Sequence, residues 1–197
     1  MNKWRLVIFL ILCFGWFGQS WAGLSEGLAA YEKGDYKTAF NEFKSAAQQG
    51  DAYAQFKLAN MHRKGEGVKQ NHKEAVKWYQ LAAQQGDAKA QTGLGFLYFN
   101  ELGVLRDYKE AAKWYELAAQ QGNADAQYTV GVTYFNGISV LQNHILGHMW
   151  AELAMQNGHS GAKKLRQQIA DKMNSNQIYE AQKLAQECLA SNYKNCD

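Results

Sequence analysis

Two histidines four residues apart are the clearest candidates for metal chemistry in this chain. A helix would place the imidazoles of His144 and His148 on one face, one turn apart. A zinc-protease helix needs a glutamate directly after the first histidine, and Ile145 occupies that position. Position 144 is also equivalent, at an interval of 36 residues, to His72 and Tyr108, where helices are expected to begin. The sequence therefore predicts no metal site here.

The other groups that support catalysis in enzymes are isolated or repeated in this chain. Ser160 follows His159, but no acidic residue stands at motif spacing to complete a nucleophilic triad. Glu110 and Glu116 are flanked by lysines, as on a solvated helix face. The segment Gly65–Val68 contains two glycines, but related turns follow at 36-residue intervals, which indicates a turn between repeated helices rather than a phosphate-binding loop. These patterns predict neither catalysis nor a cofactor.

The N-terminal segment has the features of a secretory signal peptide. Lys3 and Arg5 precede an apolar run over residues 6–17, and Ser20 and Ala22 are small residues where a signal peptidase reads the chain. We expect cleavage after Ala22 and a periplasmic or secreted product that meets the membrane only through this transient segment. The alternative is an uncleaved anchor, although the apolar run is shorter than a full membrane span.

A repeated unit must position all of these groups. The segment Glu74–Ala88 reads EAVKWYQLAAQQGDA, and it returns as EAAKWYELAAQQGNA over Glu110–Ala124, 36 residues later. Three sets of identical residues recur at the same interval: Gly50, Gly86, Gly122 and Gly158; Ala54, Ala90, Ala126 and Ala162; and Trp78, Trp114 and Trp150. A period in this range is typical of stacked repeat arrays.

Each repeated unit is predicted to contain two helices. In the second helix, alanines and aromatic residues recur at spacings of three and four, which places them on one face. Gly86 ends that helix, and Asp87 is placed to cap the next one. Small residues allow close helix approach, and the repeated Trp and Tyr residues, Trp114 among them, are expected to fill the core between layers. The chain contains no proline, which suits an almost wholly helical protein.

The repeated letters resemble the Sel1-like repeat, a relative of the tetratricopeptide repeat. The shared pattern is A-x-x-W-Y-x-x-A-A-x-Q-G-x-x-x-A-Q-x-x-L-G-x-x-Y with a Gly-x-Gly-Val turn, and it extends over about residues 24–170. Glu101 and Ser139 replace turn glycines, and Gly147 replaces an alanine. The resemblance implies an all-α fold: a right-handed α-solenoid of stacked antiparallel helix pairs.

The pattern divides the chain into four regions. They are a signal peptide (1–22), a leading helix pair (23–50), three Sel1-like repeats (51–158) and C-terminal capping helices with a disulfide-closed tail (159–197). The leading pair is predicted over Leu24–Lys33 and Thr38–Gln49. A polar break at Asn174–Asn176 is expected to precede the last helix, Ile178–Leu189, which caps the array.

Two cysteines lie near the end of the chain. An even number of cysteines in an exported protein favours a disulfide between Cys188 and Cys196, which would close a short loop and stabilise it by about 2 to 3 kcal/mol. Two free thiols are the alternative.

Positions that vary between repeats indicate a binding surface. On the first helix of each unit these positions lie on a face away from Ala54 and Leu58. In solenoids of the family that the chain resembles, this face lines the concave groove. Aromatic anchors among polar groups have the composition of a peptide-binding surface. The predicted groove residues are Tyr53, Phe56, Lys57, Asn60, Lys89, Phe96, Asn100, Asp125 and Tyr128. The alternative is that these aromatic side chains are additional core.

The leading functional interpretation is a non-catalytic scaffold of the bacterial cell envelope that binds a protein or peptide partner. Exported relatives credited with activity on cell-wall or penicillin-like substrates suggest an enzyme as the alternative, but they carry a cysteine pair in each repeat, and residues 51–158 contain no cysteine. A quality-control adaptor is a third interpretation, which the short signal segment and few repeats disfavour. Nucleic acid is not expected as a partner, because the formal charge of +3 includes Lys3 and Arg5 and the helices carry mixed charges.

Overall fold

The computed structural model describes residues 23–194 and Cys196, and the regular elements in these residues are all helices. The predicted signal peptide lies outside the described residues. The helices follow in the order α1 (23–32), α2 (Tyr36–Gln48), α3 (Ala52–Lys64), α4 (His72–Gln84), α5 (Ala88–Phe99), α6 (Tyr108–Ala119), α7 (Ala124–Asn136), α8 (His144–Gln156), α9 (Ala162–Ala170) and α10 (Ser175–Ala190). The predicted fold class, an all-α solenoid of stacked helix pairs, is confirmed. None of the described helices is both long and apolar enough to cross a bilayer.

Local side-chain caps determine where the repeated helices begin. The first helix of each repeat follows a residue whose side-chain oxygen accepts a hydrogen bond from the backbone N–H three residues later: Asp51 to Ala54 (2.7 Å), Asp87 to Ala90 (2.7 Å) and Asn123 to Ala126 (3.0 Å). Such a bond satisfies a backbone donor that the helix itself leaves unpaired. The polar residue after Gly50, Gly86 and Gly122 is therefore a helix cap, as predicted for Asp87.

The turns between paired helices require left-handed backbone geometry. Gly65 and Gly67 join α3 to α4 with φ angles of 79° and 69°. Gly67 also packs against the backbone of Tyr36 so closely that a Cβ would collide with it. Glu101 and Ser139, which replace turn glycines in later repeats, keep positive φ angles of 59° and 63°. The repeat geometry is thus retained although these two side chains disfavour it.

The first of two compact units ends at Gln85. In it, α2 packs on α3 and α3 packs on α4. Its core is formed by small residues from α2 and α3 together with three large side chains, Phe43, Leu58 and Met61. Buried Gln55 donates to the carbonyl of Ala47 (3.2 Å) and accepts from Gln85 (2.8 Å), so it links the ends of α2 and α4.

The second unit begins at Gly86 and contains α5 to α10. Successive helices from α5 to α8 pack together, and both α9 and α10 pack against α8. Gly147 allows α8 to approach α7, because a Cβ at this position would lie 3.3 Å from the carbonyl oxygen of Gly131. The replacement of the repeated alanine by Gly147 is therefore a packing adjustment.

The three repeated tryptophans lie in different environments, and the expectation that Trp114 fills the core is wrong. Trp114 and Trp78 are half-buried, whereas the adjacent Tyr115 and Tyr79 are buried. A helix rotates about 100° per residue, so the tyrosine rather than the tryptophan lies in line with the alanines of the core face. Trp150 is only 4% exposed and shares a core cluster with residues of α10, which packs on α8.

The C-terminal helix is longer than predicted. Asn174 caps α10 through a reciprocal pair of hydrogen bonds with Gln177, so Ser175 and Asn176 belong to the helix rather than to a break. Cys188, near the end of α10, and Cys196, beyond that helix, are placed as a disulfide with 4.7 Å between their Cα atoms. The loop that they close brings Tyr193 to Asn157, whose side-chain amide donates to the tyrosine oxygen (2.9 Å).

Candidate functional site

Four of the predicted groove residues form one half-buried surface on α3. The centre of the Phe56 ring lies 6.2 Å from that of Tyr53 and 6.1 Å from that of Tyr79 on α4. Lys57 and Asn60 follow on the same helix and are also half-buried. Ala54 and Leu58 occupy the fully buried positions of this helix. Tyr53 and Phe56 are half-buried, so they belong neither to the deep core nor to an isolated surface patch. We call the surface of Tyr53, Phe56, Lys57 and Asn60 the α3 face.

Lys57 is the only one of these four residues that carries a charge. Its Nζ atom lies 5.1 Å from the ring centre of Tyr53 and 5.3 Å from that of Tyr31, which belongs to α1. Both distances are within the range of cation–π attraction. The two rings therefore fix the position of the ammonium group while leaving its charge in place.

Asn60 holds the α3 face together through bonds within the protein. Its side-chain amide donates to the carbonyl of Phe56 (3.0 Å), and its Oδ1 accepts from the hydroxyl of Tyr79 (3.0 Å). The guanidinium of Arg63 donates to the same tyrosine oxygen (3.2 Å). Burial raises the pKa of Tyr79, and the nearby charge of Arg63 opposes that shift. A neutral Tyr79 thus serves as donor to Asn60 and acceptor from Arg63.

The carboxylate of Glu66, which contacts Tyr31, is already engaged. The hydroxyl of Tyr31 donates to Glu66 (2.7 Å), and Nζ of Lys64 lies 3.4 Å from the other oxygen of that carboxylate. Burial raises the pKa of Tyr31 to about 12, with further contributions from the hydrogen bond to Glu66 and its charge. Tyr31 is therefore neutral at physiological pH and anchors Glu66 to α1.

The remaining predicted groove residues lie on α5 and α7. Lys89 and Phe96 on α5, and Asn100 directly after it, are exposed, Phe96 by 41%. The side chain of Asn100 donates to the carbonyl of Phe96 (2.9 Å), as Asn60 does to Phe56. Unlike the α3 face, this surface leaves a large aromatic side chain substantially accessible, so the interpretation of Phe96 as core is not favoured.

On α7, Tyr128 and Asp125 both meet a residue that the sequence analysis did not place in the groove. The ring of His159 stacks on Tyr128 with 4.0 Å between centres, and its Nε2 atom lies 3.8 Å from Oδ1 of Asp125. The backbone N–H of Gly161 donates to Nδ1 of His159 (3.2 Å), which places the proton of a neutral ring on Nε2. Tyr31, Arg63 and Tyr79 also contact site residues, but the sequence pattern does not indicate them because they lie outside the variable positions.

The two histidines considered for metal binding pack against other side chains of the protein. His148 is 2% exposed, and burial lowers its pKa, with the charge of Arg166 acting in the same direction and Glu152 opposing it. The ring centre of His144 lies 5.5 Å from that of Phe135. Among residues 23–194 and 196, no group of three or more His, Cys, Asp or Glu side chains is arranged to hold a metal ion.

Comparison with known proteins agrees with the helix pairing. The sequence model named Sel1 repeat matches the chain over residues 18–51, 52–87, 88–123 and 124–159. The last three matches begin at the first residues of α3, α5 and α7, so each contains one first helix and one second helix. No curated protein matches the chain significantly.

Two solved structures resemble the chain. The crystal structure of a Sel1 repeat protein from Oxalobacter formigenes is 40% identical, with a TM-score of 0.59, and the match covers 64% of this chain and 96% of that one. The second is c5321, a protective antigen present in uropathogenic Escherichia coli strains that displays an SLR fold; it is 25% identical with a TM-score of 0.62. That match covers 88% of this chain but 47% of c5321, so the chain spans about half of its length.

Proposed function

Because this chain belongs to the Sel1 repeat family, we propose that it is a non-catalytic interaction scaffold of the bacterial cell envelope, binding a peptide or protein segment on the first helices of its repeats. Repeats of this family are generally protein-interaction scaffolds rather than enzymes. The envelope location rests on the predicted signal peptide, which the structure does not describe.

The observation that carries the proposal is that core positions and surface positions on the first helices are occupied by different types of residue. Alanine and leucine positions such as Ala54 and Leu58 form the core, while the variable positions present aromatic and polar side chains toward the surface. Phe96 on α5 is the most accessible of these aromatics. Interfaces typically gain most of their affinity from a few aromatic anchors surrounded by polar groups. The same combination lies on the α3 face, where hydrogen bonds and ring contacts already fix its side chains.

The enzymatic alternative receives no specific support. It rested on exported relatives with a cysteine pair in each repeat. In this chain Cys188 and Cys196 are placed as a pair beyond the repeats. Ser160 is exposed, and the neighbouring His159 stacks on Tyr128.

Site-specific photo-crosslinking tests the proposal. A benzophenone amino acid is introduced at Phe96 on the first helix α5, or at Leu117 on the second helix α6, and the exported protein is irradiated in living cells. Leu117 is a matched control because it is an apolar residue of similar exposure. We expect a discrete crosslinked protein or peptide from position 96 and none from position 117. Equal crosslinking from both positions, or none from position 96, would contradict the proposed binding face.

A further inference from the structure

We infer that the α3 face selects acidic peptide segments and that Lys57 binds a side-chain carboxylate of the partner. This inference rests on the proposed function and specifies the chemistry of its ligand. It also adds the positive charge of Lys57 to the aromatic character of the predicted groove.

The first observation is the position of Lys57. Its ammonium lies against the rings of Tyr31 and Tyr53, and it has no carboxylate partner among the residues that the structure describes. Aromatic rings attract a cation through their quadrupole, but they do not neutralise its charge or accept its hydrogen bonds as an anion does. A half-buried ammonium held in this way gains from an added carboxylate, because a charge-assisted hydrogen bond is stronger than a neutral one.

The second observation is the charge of the whole helix. Between Ala52 and Lys64, α3 contains three cationic side chains, Lys57, Arg63 and Lys64, and no acidic one. Asp51, just before the helix, is used as its cap, and Glu66, just after it, is engaged by Tyr31 and Lys64. This helix departs from the mixed charges expected along every helix. It is complementary to an acidic segment lying along its exposed side.

The third observation favours a peptide over a nucleic acid. Single-stranded nucleic acids gain affinity by stacking bases on free aromatic faces. On the α3 face, Lys57 lies over the rings of both Tyr31 and Tyr53, and Phe56 packs between Tyr53 and Tyr79. A carboxylate needs only the ammonium donors, so it binds without displacing these contacts.

The test uses fluorescence anisotropy with the mature chain and three labelled probes. One is a short peptide of repeated Glu-Ala-Leu units blocked at both ends, the second has Gln in place of Glu, and the third is an oligothymidine. Blocked ends exclude a terminal carboxylate as the source of binding. We expect the Glu peptide to bind about tenfold more tightly than the Gln peptide, as one charge-assisted contact allows.

Variants then assign the preference to one side chain. Lys57→Met is expected to reduce the preference for Glu over Gln to less than about twofold, whereas Lys57→Arg keeps most of it, since the arginine retains the charge. Lys69→Met is the matched control, because Lys69 is an exposed lysine in the turn after α3. Thermal melts establish that each variant is folded.

Four outcomes overturn the inference: equal binding of the Glu and Gln peptides, no binding of either, an unchanged preference in Lys57→Met, or tighter binding of oligothymidine than of the Glu peptide. The probe comparison on the unmodified protein decides the inference even if Lys57→Met does not fold. Crosslinking at Phe96 is independent of these probes. A partner captured there together with equal peptide affinities therefore leaves the proposed function standing and removes only the acidic preference.

Discussion

Truncation of two aromatic residues in the second unit separates binding surface from core. Tyr115 on α6 is 7% exposed and belongs to the core cluster that includes Met149 and Trp150. Phe96 on α5 is 41% exposed. If this division is correct, Tyr115→Ala should mainly reduce stability, and Phe96→Ala should mainly reduce binding.

The expected magnitudes follow from burial. Replacing a buried aromatic side chain by alanine costs about 3 to 5 kcal/mol, which applies to Tyr115. Complete burial of a phenylalanine contributes about 1.5 to 3 kcal/mol, so the partial burial of Phe96 corresponds to roughly 1 to 2 kcal/mol. For a protein of this size, about 2 to 4 °C of Tm is lost per kcal/mol. Tyr115→Ala should therefore lower Tm by about 6 to 20 °C, and Phe96→Ala by about 2 to 8 °C.

Thermal melts followed by circular dichroism measure both variants, and the crosslinked or purified partner provides the binding assay. An interface anchor contributes about 1 to 3 kcal/mol, so Phe96→Ala should weaken binding by roughly fivefold to 150-fold. Equal losses of Tm in the two variants would show that Phe96 is core. In that case α5 would offer no aromatic anchor, and membership of the family would be the remaining support for binding on this face.

Four further predictions concern stability and processing. Ser139→Gly should raise the free energy of unfolding by about 0.5 to 1 kcal/mol in denaturant titrations, because glycine adopts the positive φ of 63° without strain, and Gly137→Ser should lower it. Thiol labelling of denatured, unreduced exported protein should find neither Cys188 nor Cys196 free, and labelling of both would refute the disulfide. The lowered pKa of His148 means that this histidine binds a proton more readily in the unfolded chain, so the stability present above pH 6.5 should fall as the pH decreases below 6.5. His148→Leu should flatten this part of the curve of stability against pH. An unchanged slope would exclude His148 as the source of the pH dependence. Mass spectrometry of the exported protein should show an N-terminus at Gly23, whereas an intact Met1 or a lipid-modified Cys13 would contradict cleavage after Ala22.

The sequence alone determined the helices, their pairing and the family. These features depend on interactions between residues close in the chain, and such interactions are visible in the letters themselves. Asp51 caps a helix three residues ahead, and the positive φ of Gly65 lies within the turn that it makes. Glu101 adopts the left-handed turn although its side chain disfavours it, because the surrounding repeats impose the geometry. The 36-residue period predicts a turn at this position even without the glycine.

Tertiary structure alone decided which aromatic side chains are core and which groups meet at the candidate site. Trp114 and Tyr115 are adjacent in sequence, and only the direction of helix packing distinguishes the half-buried residue from the buried one. Trp150 became core because α10, which has no counterpart in the repeat pattern, packs on α8. Lys57 lies over Tyr31, a residue of the leading helix 26 positions earlier. Contacts of this kind depend on how separate helices are brought together in space. A periodicity that describes each helix by itself therefore does not predict them.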